Sequence, residues 1–397
     1  MTITLLPISF PPSLDPTRFG QFGREVKDVH PGHLNGGQFE ELEKALYTHD
    51  LLLFRNLDLT PEEQYKLVKK FDPNSEHYGH GNRSLDKATE SIIHSYVKSL
   101  PFVPQVQIIG HGTVQNHEGI EEITLKHGRH PEFHKTSLST EDEAGGFTRF
   151  FRWHMDAALY DLAPPKVTAL YGLKVPRGPL QTVRYGDGSR DELPVPLGTT
   201  AFVSGKIMFD ILSDTMKSLA VRATATYAPH PFQWIKNSKA FSTGLGLVSE
   251  GLEMPLDLLP SWEEEKIKKY PFVWKNTTTG HLHLQVHPCA IKEIDIQPLK
   301  YLKNAKRNAL YPQGGKITDL KAIRDLIHEM QRPGIAPQLV YPHAWEEKDL
   351  VLFNNRGLMH SVVGVFREGQ VRLFHQCNLA ASSEVVGPNE ADIEKWA

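Results

Sequence analysis

The chain has 397 residues, of which 40% are hydrophobic and 23% charged, and 44 basic against 47 acidic side chains give a formal net charge of −3. This near-neutral balance excludes the basic surplus typical of proteins that bind nucleic acid or anionic membranes, so we expect a small-molecule partner. The composition also excludes a disordered or fibrous chain.

The cysteine content and the lack of long apolar runs predict a cytosolic protein. Cys289 and Cys377 are too few for a disulfide framework or a cysteine-rich metal site, which favours a reducing compartment. The N-terminus lacks the apolar core of a secretory signal, and no stretch reaches the roughly 18 apolar residues of a membrane-spanning helix. We expect neither nucleic-acid nor membrane partners, and the sequence leaves the oligomeric state open.

The first part of the chain, to about residue 100, is predicted to be an α/β portion. Residues 39–49 have helical spacing, and the apolar run 51–54 that follows is typical of a buried strand. At Thr60-Pro61-Glu62-Glu63, Thr60 suits the N-cap, Pro61 the first helical position and Glu63 a capping box. We therefore expect a second helix from Pro61.

From about residue 147 the pattern changes to short β-like segments bounded by Gly, Pro, Asn or Asp. Their sequences are FTRFFRWHMDAAL, VTALYGLKV, TTAFVSG, DLVLFNN, SVVGVF and QVRLFHQCNLA. Between the third and the fourth lies a long insertion, about 207–340, whose clearest helix is 319–331. We predict a single domain, 1–397, that is mainly β with helical decoration and has a double-stranded β-helix (jelly roll, cupin-type) core.

The most informative motif is His154-Met155-Asp156, an HxD pattern inside a β-like segment. Side chains two residues apart on a strand point to the same face, so His154 and Asp156 can bind one metal ion together. The short pattern alone also fits a core histidine beside a turn aspartate. It therefore needs a third ligand.

That third ligand is expected to be His360, which follows the apolar strand and turn of DLVLFNNRGLMH. Two histidines and one carboxylate occupy one face of an octahedral iron and leave positions open for a chelating 2-oxo acid and dioxygen. Arg372, 12 residues beyond His360, carries a planar guanidinium that can pair with the far carboxylate of such a co-substrate. The combined pattern favours an oxygenase over a solvated arginine and a structural histidine.

With these residues the sequence resembles the TauD-type family of Fe(II)/2-oxoglutarate-dependent dioxygenases. FGREVKDV and LLLFRNLDLTPEEQ are similar to that family's N-terminal segments, and WHMD, His360 and Arg372 to its metal and co-substrate positions. The resemblance implies Fe(II), 2-oxoglutarate and O2. It also implies that Thr182, 28 residues after His154, binds a carboxylate of 2-oxoglutarate. The interval between His154 and His360 is longer than in most members of the family, and the predicted insertion would account for the difference.

Within that family the sequence is most similar to the 2-oxoglutarate-dependent xanthine dioxygenases. The similar stretches are PQVQIIGHGTVQNHEG, TRFFRWHMDAALYDL, VPLGTTAFVSG, QRPGIAPQLVY and FNNRGLMHSVVG. This resemblance implies hydroxylation of xanthine at C8 to urate, with 2-oxoglutarate and O2 converted to succinate and CO2.

A purine dione offers N–H donors and carbonyl acceptors, so amides and one cation would suit it. Gln105 and Gln107 alternate on a strand-like segment and share a face. The resemblance places further substrate contacts at Lys126, Asp142, Glu143 and Asn378. Alternatively, Lys126 is an ordinary solvated lysine and STEDEAGG an exposed loop, and neither contacts the substrate. Asn378 shares strand parity with Arg372 but lies ~20 Å along an extended strand, which assigns it to the substrate rather than to 2-oxoglutarate.

Three alternatives remain at this point. His281, His283 and His287 in HLHLQVHP could form a three-histidine zinc site for hydrolysis. The fold could also be a binding module without catalysis, since fold does not fix function. Finally, the same mechanism could act on a sulfonate or another small acid, although such a site would be expected to present cations to its substrate.

Overall fold

The strands come from all parts of the chain. This computed structural model describes residues 2–80, 98–300 and 309–397. Its strands are β1 Thr4–Pro7, β2 Arg24–Lys27, β3 Leu51–Phe54, β4 Lys98–Ser99, β5 Val106–His117, β6 Ile120–Leu125, β7 Phe147–Thr148, β8 Val167–Lys174, β9 Gln181–Arg184, β10 Glu192–Val195, β11 Thr200–Ser204, β12 Ala223–Tyr227, β13 Lys269–Pro271, β14 Val273–Lys275, β15 Leu282–Leu284, β16 Ile291–Ile296, β17 Gly315–Ile317, β18 Tyr341–His343, β19 Asp349–Asn354, β20 Leu358–Val362 and β21 Arg372–Asn378.

The helices lie mainly before the jelly roll and within the predicted insertion. They are α1 Gly36–His49, α2 Pro61–Phe71, α3 His130–Phe133, α4 Thr140–Ala144, α5 Gly205–Ile211, α6 Asp214–Arg222, α7 Pro231–Trp234, α8 Leu320–Gln331 and α9 Glu390–Trp396. None of the described helices is long and apolar enough to cross a bilayer.

A nine-stranded sheet forms one layer of the fold, and we call it the major sheet. Its strand order is β1-β2-β3-β19-β8-β21-β5-β4, and β6 also pairs with β5. Successive residues of a strand point to opposite faces. Accordingly, Leu52 and Phe54 pack with the helices on the outer face, whereas Leu51 and Leu53 pack into the inner core. The predicted strand 51–54 is confirmed with these bounds.

Helices α1 and α2 cover the outer face, and both begin with a capping box. Thr60 accepts the N–H of Glu63, whose carboxylate accepts the N–H of Thr60, as predicted. Helix α1 begins three residues before the predicted start because the Asn35 side chain caps the N–H of Gln38. Helix α8 also follows the prediction, with Asp319 as its N-cap.

A smaller sheet with the order β18-β11-β20 faces the inner side of the major sheet. Side chains of the two sheets meet in one core cluster, where Phe202 of β11 packs against Phe353 of β19 with ring centroids 5.2 Å apart. This mainly β, two-sheet arrangement with helices outside is the predicted fold class. Buried aromatic contact fixes the spacing between the sheets.

The segment that carries the HxD motif is less regular than predicted. Only Phe147–Thr148 forms a regular strand, and the chain then contacts the edge of β20 through isolated bridges from Phe150 to Val363 and from His154 to His360. Leu159 has a φ of 58°, a left-handed conformation that a strand does not contain. The continuous strand predicted over this segment was therefore wrong. The predicted strand SVVGVF is likewise shifted to Leu358–Val362, and Gly364, with a φ of 132°, follows it.

The predicted insertion adds a four-stranded sheet, β13-β12-β16-β17, and the hairpin β14-β15. Its side chains, including Tyr227, Trp274 and Ile294, share a buried cluster with Val203 of β11 and Met359 of β20. The insertion thus packs onto the smaller sheet. Residues 301–308 of the predicted insertion, and 81–97 of the predicted α/β portion, lie outside the described residues.

Candidate metal centre and active-site cavity

His154 and His360 are held together by backbone pairing. The N–H of each residue donates to the carbonyl of the other, at 3.0 Å from His154 and 2.8 Å from His360. Their imidazole rings lie 4.3 Å apart, and His360 Nε2 is 3.9 Å from Asp156 Oδ1. One ligand atom from each of His154, Asp156 and His360 falls within 4.8 Å of the others. The three residues predicted from sequence therefore converge.

The electrostatic state of the three side chains suits a divalent cation. Burial lowers the pKa of His360 to about 3, and burial also lowers the pKa of His154, so both rings are neutral and can offer a lone pair. His154 Nδ1 donates to the Arg152 carbonyl at 2.8 Å, which leaves Nε2 as the free acceptor. Burial alone would raise the pKa of Asp156, but the neighbouring His360 and His80 lower it overall. Two neutral imidazoles and one carboxylate fit the facial triad of a non-haem iron site.

A cavity of about 170 Å³ opens beside these three residues. Its lining combines apolar and aromatic side chains with a few polar groups, as small-molecule sites do. The aromatic part includes Tyr78, Phe151 and Phe232. The polar part, apart from the triad, includes His80, Lys126, His127, Thr200, Arg372 and Gln376.

Arg372 is the cationic end of this cavity. It is 1% exposed, and its Nε donates to the Gly198 carbonyl at 3.1 Å while Nη2 lies 3.4 Å from Thr200 Oγ1. Burial lowers its pKa to about 9, and within the described part of the chain it has no carboxylate partner. A buried guanidinium with remaining donors toward a cavity can bind a carboxylate through paired, charge-assisted hydrogen bonds.

The structure places Thr200, and not Thr182, beside Arg372. Thr182 lies on β9, paired with Pro194 of β10 and Phe147 of β7, and the described cavity lining does not include it. Thr200 lies on β11 within the cavity, where its hydroxyl also accepts the Trp345 Nε1–H at 3.2 Å. The family resemblance gave the co-substrate role to Thr182, and that role stays a prediction. The sequence feature that could have indicated Thr200 is the predicted strand TTAFVSG, because this strand faces the major sheet.

Of the residues predicted to contact substrate, Lys126 lines the cavity. Gln107 is 2% exposed, and its amide makes two local hydrogen bonds. It donates to the Pro104 carbonyl and accepts from Ser99 Oγ. Gln105 is half-buried and precedes β5. Both glutamines are absent from the described cavity lining, so their contact with substrate stays a prediction.

Asp142 and Glu143 are engaged in ion pairs on helix α4. Asp142 Oδ1 lies 2.8 Å from Arg184 Nη1, and Glu143 lies 2.7 Å from Arg129 and 2.9 Å from His130. Asn378 is fully buried on β21, and neither polar atom of its amide has a hydrogen-bond partner among the described residues. These three predicted contacts also lie outside the described cavity lining.

Besides Thr200, sequence reasoning missed Gln376 and His80, which lie next to Asp156 in the cavity. Gln376 has the same strand parity as Arg372, so alternation along β21 could have found it, and its Nε2 lies 3.2 Å from Asp156 Oδ2. The side chain of His80 is 9% exposed, and its Nε2 lies 3.9 Å from Asp156 Oδ1. No motif around His80 indicates this position, because it is fixed by long-range packing.

The three histidines of the alternative zinc site do not converge in the described part of the chain. His281 is exposed, His283 Nδ1 donates to the Gly357 carbonyl at 3.2 Å, and His287 Nδ1 accepts the Cys289 N–H at 3.2 Å. Over residues 2–80, 98–300 and 309–397, these three histidines are not among the groups whose ligand atoms converge. The described geometry therefore favours the triad over the HLHLQVHP histidines.

Comparison with known proteins links this geometry to characterised enzymes. The profile of the family described as taurine catabolism dioxygenase TauD, TfdA family matches residues 13–378. An alpha-ketoglutarate-dependent xanthine dioxygenase, xanA of Emericella nidulans, is 49% identical over 92% of this chain and 94% of its own. The alpha-ketoglutarate-dependent xanthine dioxygenase xan-1 of Neurospora crassa is 47% identical over 94% of this chain and 87% of its own.

Solved structures agree on the fold. A taurine dioxygenase from Burkholderia xenovorans matches with a TM-score of 0.55 at 15% identity, over 97% of this chain and 91% of its own. The structure titled AAD-2 in complex with Mn(II) and N-oxalylglycine matches with a TM-score of 0.52 at 16% identity, over 97% and 100% of the two chains. At this identity the matches show the fold alone, and they confirm the predicted fold class.

Proposed function

The chain belongs to the taurine catabolism dioxygenase TauD, TfdA family, and from this premise we propose that it hydroxylates xanthine at C8 to give urate. One oxygen atom of O2 enters the C8–H bond of xanthine. The other enters succinate, which forms when 2-oxoglutarate loses CO2. Near 50% identity to two xanthine dioxygenases over most of both chains supports xanthine as the substrate.

The observation that carries this proposal is the convergence of His154, Asp156 and His360 at the wall of a cavity that also contains Arg372. In our proposal these three residues would hold iron(II). When bound, the ion would supply the redox chemistry that couples oxidation of 2-oxoglutarate to the activation of dioxygen. Because both histidines are neutral, neither has to release a proton before an ion binds.

Arg372 and Thr200 bind the far carboxylate of 2-oxoglutarate in this proposal. The buried guanidinium supplies the charge, and the adjacent hydroxyl adds a donor at 3.4 Å from Nη2. In this proposal Thr200 takes the role that the family resemblance gave to Thr182. Because Arg372 is almost fully buried, water competes little for this ion pair.

The aromatic part of the cavity is assigned to the purine. Tyr78 and Phe232 supply apolar surface for a flat heterocycle and exclude water, while Lys126 supplies a cation for the polar edge of a dione. A sulfonate substrate would use the same cation. Substrate comparison must therefore include a small sulfonate.

The test is anaerobic loading of the protein with Fe(II) and 2-oxoglutarate, followed by measurement of O2 consumption, succinate and urate with and without xanthine. We expect succinate that depends on xanthine and an equal amount of urate. Succinate stimulated by a sulfonate and not by xanthine would overturn the substrate, and turnover independent of iron and 2-oxoglutarate would overturn the mechanism. His154→Ala should abolish turnover, with His281→Ala as the matched control.

A further inference from the structure

The two oxygens of the Asp156 carboxylate have different surroundings. Oδ2 accepts a hydrogen bond from Thr168 Oγ1 at 2.7 Å. Oδ1 instead faces the imidazoles, with the Nε2 atoms of His360 and His80 each 3.9 Å away. The amide of Gln376 lies 3.2 to 3.3 Å from both oxygens and does not distinguish them.

Thr168 is rigidly placed for this contact. It lies on β8 in the middle of the major sheet, paired with Phe353 on one side and Asn378 on the other, and it is fully buried. Its β-branched side chain has few rotamers on a strand. Since a carboxylate only accepts hydrogen bonds, the Thr168 hydroxyl is the donor.

The backbone of Asp156 is fixed separately, by Asn355. Asn355 Oδ1 accepts the Asp156 N–H at 2.8 Å, and Nδ2 donates to the Asp156 carbonyl at 2.7 Å. These bonds do not restrain rotation of the carboxylate about its last side-chain bond, a torsion that is broad for aspartate. Thr168 and Gln376 hydrogen-bond the carboxylate itself, and of these two residues Thr168 distinguishes its oxygens.

We propose that Thr168 is a positioning residue that holds Oδ2 of Asp156 and so turns Oδ1 toward the metal ion. This inference rests on the proposed function, because it requires a metal at the triad. Partners of this kind, which orient a ligand without touching the metal, typically change metal affinity by about 10 to 100-fold.

The test measures binding of Mn(II) to the metal-free protein by calorimetry, together with the thermal midpoint of the metal-free protein. Thr168→Val removes the donor at nearly constant volume and should weaken Mn(II) binding about 10-fold or more. Thr168→Ser keeps the hydroxyl and should bind within a few-fold of the parent. If Thr168→Val does not fold, Thr168→Ala, which adds no methyl beside the carboxylate, is measured in its place.

Thr226→Val is the matched control. Thr226 is a buried strand threonine on β12 in the insertion, and its hydroxyl has no hydrogen-bond partner among the described residues. The Thr226→Val variant should bind Mn(II) with the same affinity as the parent protein.

Equal affinity in Thr168→Val and parent, or equal losses in Thr168→Val and Thr168→Ser, would overturn the role of Thr168. Failure of the parent protein to bind Mn(II) would instead overturn the metal site, and with it the proposed function. The two failures are therefore distinguishable.

Discussion

Asn355 holds the backbone of Asp156 from a position 199 residues away in the sequence. Its side chain satisfies the N–H and the carbonyl of Asp156, and it also donates to the Pro165 carbonyl at 3.0 Å. Asn355 follows β19 of the major sheet, and Asp156 belongs to the irregular segment next to β20. One fully buried amide thus connects the segment that carries His154 and Asp156 to the major sheet.

Asn355→Ala is expected to destabilise the protein strongly. It removes three hydrogen bonds and leaves buried backbone groups unsatisfied, which should lower the free energy of unfolding by about 3 kcal/mol or more. Urea unfolding of the metal-free protein measures this change. Asn389→Ala, which removes the exposed capping box of α9, is the control and should cost about 1 kcal/mol. If both variants lost a similar free energy of unfolding, Asn355 would not have the structural role inferred from its three hydrogen bonds.

The co-substrate assignment can be tested with three substitutions. Arg372→Leu should raise the KM for 2-oxoglutarate about 100-fold, because two charge-assisted hydrogen bonds are worth roughly 3 kcal/mol. Thr200→Val should raise it about 10-fold, whereas Thr182→Val should leave it unchanged. Steady-state kinetics at saturating xanthine gives all three values. A larger effect at Thr182 than at Thr200 would instead support the assignment that the family resemblance implies.

The choice between the triad and the HLHLQVHP histidines is open to direct metal analysis. Asp156→Ala should remove the metal, because its carboxylate is one of the three proposed ligands. His281→Ala and His283→Ala should retain the parent metal content after loading with Fe(II) or Zn(II). Metal content by elemental analysis decides between them. Loss of metal in the His281 or His283 variant alone would favour the zinc site.

Stability should fall as the pH drops below about 6.5, and His134 illustrates why. Burial lowers its pKa from 6.5 to about 4 in the folded protein, where its Nε2–H donates to the Phe151 carbonyl at 2.9 Å. Between these values the unfolded chain binds more protons than the folded one. The stabilisation is therefore complete above pH 6.5 and is lost progressively toward pH 4.

His134→Gln keeps a donor for the Phe151 carbonyl but removes the titrating group. Its free energy of unfolding should depend less steeply on pH between 6.5 and 4, by up to about 1.4 kcal/mol per pH unit. Urea unfolding across this range gives the slope. An unchanged slope in His134→Gln would show that His134 titrates normally in the folded state.

Several elements of the fold could be predicted because their signals are local. The alternation that buries Leu51 and Leu53 on one face and Leu52 and Phe54 on the other lies within four residues. The capping box at Thr60 and Glu63 is likewise a contact between neighbours along the chain. The HxD segment could not be predicted as well, because its path follows the edge of β20, which lies some 200 residues further on.

The sequence by itself determined the type of chemistry. Two histidines, one aspartate and one arginine in recognisable strand contexts are enough to indicate a facial triad and a carboxylate-binding guanidinium. Tertiary structure alone decided which other side chains reach the site, since Thr200, Gln376 and His80 arrive from three distant segments. It also decided that Thr168 donates a hydrogen bond to Oδ2 of Asp156, whereas Oδ1 faces the imidazoles of His360 and His80. A distance of a few ångströms between atoms on different strands depends on the packing of two sheets, and no spacing along the chain encodes it.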